Sequence, residues 1–330
     1  MGDSSPQDRQ IGSVELLQGD ARRKLSAIEQ GSVSLIVTSP PYNIGKEYER
    51  MSRRSLDQYK RWISPIARAA ASKLRDGGHL CWQSGNYIDN GAIYPLDYIF
   101  FNIFHRYGLT LRNRIIWHFN FGLNASRRLS GRYETVLWFT KGDDYSFNLD
   151  PIRVLQRYPG KRYPKSHKSK AGQPSGNPNG KNPGDVWSFD PAEAFFSGRL
   201  WQFPNVKANH VEKTIHPCQF PIELAERCVL ALTSPGELVL DPFVGTGTTA
   251  IAAAKHGRRA VGIDFEMKYL EIARQRYGLL TSGVLNERPI GRPVMWPDQN
   301  QRVAQLPEEW GDRPSGETGQ AKGETKAFGS

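Results

Sequence analysis

The string Thr38-Ser-Pro-Pro-Tyr-Asn43 directly follows the apolar run Ser32-Val-Ser-Leu-Ile-Val37. Pro40 and Pro41 remove backbone donors and fix φ, so the chain there is stiff and its carbonyls are free. A hydroxyl (Ser39), a rigid carbonyl (Pro40) and an aromatic ring (Tyr42) at the mouth of a sheet make Ser39, Pro40, Pro41 and Tyr42 a candidate catalytic set. Such a set can accept hydrogen bonds from a substrate and stack on it. Read alone, the string is also an ordinary stop for an edge strand.

A second group lies at 237–254, Glu-Leu-Val-Leu-Asp-Pro-Phe-Val-Gly-Thr-Gly-Thr-Thr-Ala-Ile-Ala-Ala-Ala. It puts Asp241 at a strand end and Gly245 and Gly247 in the turn into a helix. Asp264 ends the next strand 23 residues later, in Ala-Val-Gly-Ile-Asp-Phe. Glycines let backbone approach a ligand, and an acid on the second strand accepts hydrogen bonds from ribose hydroxyls. Gly245-x-Gly247-x-x-Ala250 also fits a dinucleotide fingerprint, which keeps a nicotinamide-dependent oxidoreductase in view. No Gly-Lys-Ser/Thr follows, so the turn is not a P-loop. The plainer alternative is a tight strand-to-helix turn with Asp264 as a helix cap.

These groups need elements to hold them. Residues 13–42 read as short strand, helix, then a strand ending at Thr38. Residues 55–85 read as a helix closed by Gly77-Gly78, then a strand; residues 92–119 as helix, glycine, strand. Tyr133–Gly142 reads as a strand with which Tyr145–Asp150 pairs as a hairpin, and residues 220–280 as helix, strand, glycine loop, helix, strand, helix. Helices alternating with strands predict an α/β, doubly wound, mostly parallel sheet covered on both faces.

Between the two groups the composition changes. Residues 151–184 hold eight Lys or Arg and no acid, among many Gly, Pro, Ser and Asn. This is a loop-rich basic insert. The expected organisation is a catalytic half (13–150), an insert (151–209), a cofactor-binding half of the same domain (210–281) and a mostly disordered tail (282–330). The net charge of +11 over 330 residues favours a polyanionic partner, nucleic acid first. Three cysteines form neither a disulfide framework nor a CxxC pair, the histidines lack zinc spacing, and no metal set is expected. No apolar stretch reaches the length of a membrane span and the first ten residues are too polar for a secretory signal, so a cytoplasmic protein is the simplest reading.

Together, Thr-Ser-Pro-Pro-Tyr-Asn and Asp-Pro-Phe-Val-Gly-Thr-Gly-Thr-Thr resemble the catalytic and cofactor motifs of the DNA amino-methyltransferases. Three further stretches resemble that family. Gly131-Arg-Tyr-Glu-Thr-Val-Leu-Trp-Phe-Thr-Lys-Gly142 resembles motif VIII. His216-Pro-Cys-Gln-Phe-Pro resembles the segment that helps hold the methionine part of S-adenosylmethionine. Leu16-Leu-Gln-Gly-Asp20 resembles the acidic turn before the catalytic strand. The order, catalytic motif before insert before cofactor loop, is that of the β group, and Ser rather than Asp at position 39 is usual in the N4-cytosine subfamily.

The resemblance implies a Rossmann-like methyltransferase fold, S-adenosylmethionine as cofactor, double-stranded DNA as substrate and a cognate restriction endonuclease as partner. The implied activity is methyl transfer to cytosine N4 in a specific duplex sequence, directly and without a covalent enzyme intermediate, with adenine N6 as the near alternative. The target base would be flipped out and stacked on Tyr42. The cofactor residues implied are Asp20, His216, Pro217, Asp241, Pro242, Phe243, Gly245, Gly247, Thr248, Thr249, Asp264 and Phe265. Many relatives have Lys where this chain has Phe220, so a contact to the cofactor carboxylate would not come from that position.

In the family the insert holds the target-recognition region. Arg153, Arg157, Lys161, Arg162, Lys165, Lys168 and Lys170 are the candidate phosphate contacts, joined by Arg127, Arg128 and Arg132 of a second basic loop. A solvated basic loop is the plain alternative. A non-catalytic DNA-binding module would need only these residues. Pro217-Cys218 mimics the nucleophile motif of the C5-cytosine enzymes, but it lies just before a helix that precedes the cofactor strand, away from the expected catalytic element. Cys81 and Cys228, in apolar runs, are core candidates.

Overall fold

The computed structural model describes residues 10–43, 54–119, 124–154, 160–187, 206 and 210–288. All of them belong to a unit spanning residues 1–292; a second unit, 293–330, lies outside the described residues, as does most of the expected tail. Among the described residues eight strands form one sheet, in spatial order β1 (Val14–Gln18), β10 (Arg259–Asp264), β9 (Leu238–Asp241), β2 (Val33–Thr38), β3 (Leu74–Ser84), β7 (Tyr133–Lys141), β6 (Leu109–His118), β8 (Val186–Trp187). The pairs from β1 to β3 are all parallel; β7 is antiparallel to β3 and β6. The doubly wound, mostly parallel sheet is therefore as read from the sequence.

Two helical layers cover it. One face carries α1 (Ala21–Lys24), α2 (Leu56–Lys73) and α3 (Leu96–Arg106), packed on Ile36, Leu80, Trp82 and Leu240. The other carries α4 (Ile222–Leu232), α5 (Thr248–Lys255) and α6 (Met267–Thr281), packed on Leu35, Val37, Cys81 and Val239. Every residue of β2 is buried, as a central parallel strand requires. The order turns in opposite directions on either side of the β9–β2 pair. Ligands of open α/β sheets bind outside the carboxyl ends of the strands at such a switch point.

Three local readings are corrected. Gly77-Gly78 does not close α2: the helix ends at Lys73, Leu74 is already extended, and both glycines lie inside β3. Gly77 has φ +71°, and a Cβ there would stand 2.3 Å from the Asp144 carbonyl oxygen, so the pair lets the strand pass a neighbouring turn. Residues 145–150 do not pair with β7, because β3 and β6 occupy both of its edges. Ala92–Pro95 is not helical but the second strand of a hairpin, β4 (Asn86–Asp89) with β5 (Ala92–Pro95). Asn90 (φ +46°) and Gly91 (φ +82°) make the turn, the usual chemistry for a two-residue loop.

Packing also continues past residue 281. Leu285 packs on the core, Glu287 pairs with Lys255 at 2.6 Å, and the Arg288 N–H donates to Glu212 Oε1 at 3.2 Å.

Candidate active site

The carboxyl ends of β2 and β9 meet through one buried bond. Thr38 Oγ1 donates to Asp241 Oδ1 at 2.6 Å, and the Phe243 N–H donates to the same oxygen at 3.0 Å. Burial pushes the Asp241 carboxyl up to about 6, against the lowering effect of these donors. Beyond Thr38 the chain leaves the sheet. Tyr59 in α2 donates its hydroxyl to the Pro41 carbonyl at 2.8 Å, while the Pro40 carbonyl accepts no hydrogen bond from the described residues. The Tyr42 ring is buried, and its hydroxyl lies 2.9 Å from Ser39 Oγ and donates to Glu134 Oε2 at 3.1 Å. Gln83 Nε2 donates to that same carboxylate oxygen at 2.7 Å. Asn43, at φ +60°, grips Arg54 through two bonds (2.7 and 2.8 Å), and the Arg54 guanidinium lies 4.7 Å from the centre of the Trp62 ring.

The facing wall comes from β10 and its neighbours. The Asp264 carboxylate accepts the Gly245 N–H at 2.9 Å and the Glu266 N–H at 2.8 Å. Burial again raises it, to about 6. Asp20 caps α1 by accepting the Arg22 N–H at 2.9 Å, and the Arg22 guanidinium holds its carboxyl below the usual carboxylate range. His216 meets Tyr269 edge-on at 4.6 Å and accepts the Cys218 N–H on Nδ1 at 3.2 Å. Burial, with Lys213 and Lys268 nearby, depresses it to about 4, so the ring is neutral near pH 7.

Between these walls is a cleft of about 290 Å³. Ser39, Pro40, Pro41 and Tyr42 line it together with Asp20, His216, Pro242, Phe243, Asp264 and Phe265. Two regions read separately from the sequence thus share one cavity. Phe265, one of the lining residues, is 52% exposed overall.

Other expected cofactor residues are behind the cleft rather than in its lining. Asp241 is the buried strut just described. Gly245 (φ +48°) presents its N–H to Asp264. Gly247 (φ +87°) brings α5 against α6: a Cβ there would stand 2.8 Å from that of Ala273. Thr249 Oγ1 donates to the Val37 carbonyl at 3.1 Å, and Thr248 Oγ1 accepts from Arg276 at 3.3 Å. Pro217 is half-buried and outside the lining, and Phe220 is in the core.

Sequence reasoning missed Glu134, Gln83, Arg54, Trp62, Glu266 and Tyr269. Glu134 lay inside the stretch already singled out at 131–142, but nothing local pointed to its partner. Cys218 does line the cleft, so the argument that its element lies away from the catalytic residues is corrected. Cys81 and Cys228 are buried as expected. Among the described residues no cluster of His, Cys, Asp or Glu could hold a metal ion, and no helix is long and apolar enough to cross a membrane.

Of the basic candidates, Arg127, Arg128, Lys161, Arg162, Lys165, Lys168 and Lys170 are exposed. Arg132 donates to Asn124 Oδ1 at 2.7 Å. Arg153 is engaged internally, with Asp150 at 2.6 Å and the Gly180 carbonyl at 3.1 Å, and it braces the Val154–Lys181 bridge at the base of the insert. Arg157 lies outside the described residues.

Residues 33–275 match the N6/N4 family model described as DNA methylase. The chain belongs to this DNA methylase family. It is 45% identical over 262 residues to the type II methyltransferase M.BglII of Bacillus subtilis, covering 79% of this chain and 68% of that protein. A Thermus thermophilus protein assigned as a DNA modification methylase, solved with S-adenosyl-L-methionine, superposes with a TM-score of 0.54 at 26% identity, covering 82% of this chain and 97% of that one. The cytosine-N4-specific PvuII DNA methyltransferase shares the fold, with a TM-score of 0.59 at 18% identity, covering 84% of this chain and 95% of that one. As a member of the DNA methylase family the chain is S-adenosylmethionine-dependent. The cleft suits that cation: Asp20, Asp264 and Glu266 supply acids, and Phe243 and Phe265 supply aromatic surface.

Proposed function

We propose that this DNA methyltransferase acts on the N4 amine of a cytosine flipped out of a specific duplex sequence. The observation that carries the reading is the shared cleft, in which Ser39 and Pro40 line the same space as Asp264 and His216.

When bound, S-adenosylmethionine supplies an electrophilic methyl group on a sulfonium. Asp264 would accept hydrogen bonds from its ribose hydroxyls, Phe243 and Phe265 would flank its adenine, and neutral His216 would lie beside its methionine end. Asp20 would complete the polar lining.

The protein's own task is to hold a poor nucleophile. The lone pair of an exocyclic amine is delocalised into the ring, and attack requires the nitrogen to become tetrahedral. Ser39 Oγ and the Pro40 carbonyl can each accept one N–H, which turns the lone pair out of the ring plane and stabilises the positive charge that develops on nitrogen. Tyr59 fixes the Pro41 carbonyl and so anchors the peptide next to the one that carries the Pro40 carbonyl. Direct transfer would form the N–CH3 bond as the S–CH3 bond of the sulfonium breaks, leaving a neutral thioether, with the surplus amine proton passing to water; no enzyme nucleophile is then needed and Cys218 has no covalent role. Tyr42 would border the flipped base.

The basic insert and the 124–132 loop would follow the phosphates, with base-edge contacts setting the sequence read. A restriction endonuclease of the same specificity is the natural companion, as for type II methyltransferases. The division into catalytic half, insert and cofactor half belongs to the same proposal.

Mass spectrometry of nucleosides from unmethylated DNA treated with the protein and S-adenosylmethionine tests the base. N4-methylcytosine is expected. N6-methyladenine would keep the mechanism and replace the base. C5-methylcytosine would refute the reading of Ser39–Tyr42 and return Cys218 to the reaction.

A further inference from the structure

Glu134 has no task in the reaction as described, yet its carboxylate ends a chain of hydrogen bonds that begins at Ser39. It stands on β7 opposite Trp117 of β6 and reaches Tyr42 from a strand far away in sequence. A carboxylate only accepts hydrogen bonds. Its Oε2 already accepts the Gln83 amide N–H at 2.7 Å and takes the Tyr42 hydroxyl at 3.1 Å. The Tyr42 proton is then committed to Glu134, so the Tyr42 oxygen offers lone pairs to Ser39 at 2.9 Å. Ser39 in turn donates its proton to Tyr42, and only lone pairs of Ser39 Oγ remain for the cleft.

We propose that Glu134 is a positioning residue that sets the direction of the Glu134–Tyr42–Ser39 chain, so that Ser39 meets the target amine as an acceptor. This rests on the reading that Ser39 accepts an amine N–H. Without the carboxylate the Ser39 hydroxyl could rotate its proton into the cleft, where it would oppose the N–H hydrogens of the base. Each link polarises the next in the same direction, so the effect on Ser39 depends on both partners being present.

Single-turnover methyl transfer at saturating DNA and cofactor tests this, with Kd measured for both. Glu134→Leu is expected to slow transfer by about 10- to 100-fold, somewhat less than the loss of a direct transition-state contact, with both Kd values within about threefold of wild type. Glu134→Gln keeps a carbonyl that accepts from Tyr42 and should recover most of the rate. Tyr42→Phe breaks the same chain and should cost a similar factor. The Glu134→Leu/Tyr42→Phe double variant should be no slower than the slower single one, because both act through Ser39. Wild-type rate in Glu134→Leu beside a slow Ser39→Ala overturns the proposal, as do losses that multiply in the double variant or a rate loss matched by weaker cofactor binding. If Glu134→Leu fails to fold, the Glu134→Gln and Tyr42→Phe pair still decides: a fast Tyr42→Phe overturns it. Wild-type rate in Ser39→Ala would instead show that the underlying reading of Ser39 is wrong.

Discussion

Asp264 offers the sharpest test of the cofactor wall, because its charge state should control binding within an accessible pH range. Burial raises its carboxyl from 3.8 to about 6 in the free protein. Ribose hydroxyls donating to it, and a sulfonium nearby, favour the anion, so its pKa falls on binding. By linkage, affinity then drops as pH falls through about 6. At pH 5 only about a tenth of the free protein carries the ionised form, so the Kd for S-adenosylmethionine should be about tenfold higher than at pH 7.5, or about 1.4 kcal/mol. Asp264→Asn removes the dependence and should itself weaken binding by about 1.5–3 kcal/mol, roughly 10- to 150-fold. Part of that loss comes from the loop, since the amide cannot accept both the Gly245 and Glu266 N–H groups with two oxygens as the carboxylate does. Asp241 is also raised to about 6 and feels the Asp264 charge, so Asp241→Asn is the control. That variant keeps an oxygen for Thr38 and Phe243 and should retain the wild-type slope. Calorimetric titration between pH 7.5 and 5 reads all three proteins. A flat wild-type profile, or an Asp264→Asn Kd within twofold of wild type, would falsify the assignment.

Other expectations follow from packing, charge and burial. Gly247→Ala forces a side chain at φ +87° and into Ala273. It should cost about 2–4 kcal/mol of stability, read as a lower melting temperature; an unchanged melt would mean that α5 and α6 are not locked there. Replacing the exposed Lys161, Lys165 and Lys168 by Ala should lower the slope of log Kd against log salt for duplex DNA by up to about 3, at about 0.9 for each phosphate no longer neutralised. An unchanged slope would assign these lysines to solvent. His79 is buried and held neutral, its pKa depressed from 6.5 to about 4 chiefly by burial. The unfolded chain therefore binds a proton below 6.5 that the folded one does not, so this contribution is present above 6.5 and is lost as pH falls. Between pH 7 and 5 it amounts to about 2 kcal/mol, and His79→Gln should lose less stability over that range by about that amount in denaturant titrations.

What could be read from the sequence was whatever the local backbone imposes. Prolines after an apolar run, glycines at positive φ and acids at strand ends have the same meaning in a string as in a fold, and Ser39–Tyr42, Gly245 and Asp264 were legible for that reason. The misread pieces depended on neighbours. Gly77-Gly78 looks like a helix stop until the turn at Asp144 lies beside it. Tyr145–Asp150 looks like a hairpin partner until both edges of β7 are taken. Glu134 and Tyr42 are 92 positions apart, and no period or motif joins them.

The same dependence explains why chain order matters little to this site. Thr38 and Asp241 are 203 positions apart, yet β2 and β9 lie side by side, and one buried 2.6 Å bond ties the carboxyl end of β2 to that of β9. Sheet adjacency, rather than sequence proximity, sets the distance between the two half-sites. A chain that places β2 early and β9 late can therefore build the cleft through strand adjacency. What the cleft requires is the pairing of those strands and the bond at their carboxyl ends. Thr38→Val, which keeps the strand but deletes that bond, should therefore impair cofactor binding and transfer together, whereas Ser39→Ala should impair transfer alone.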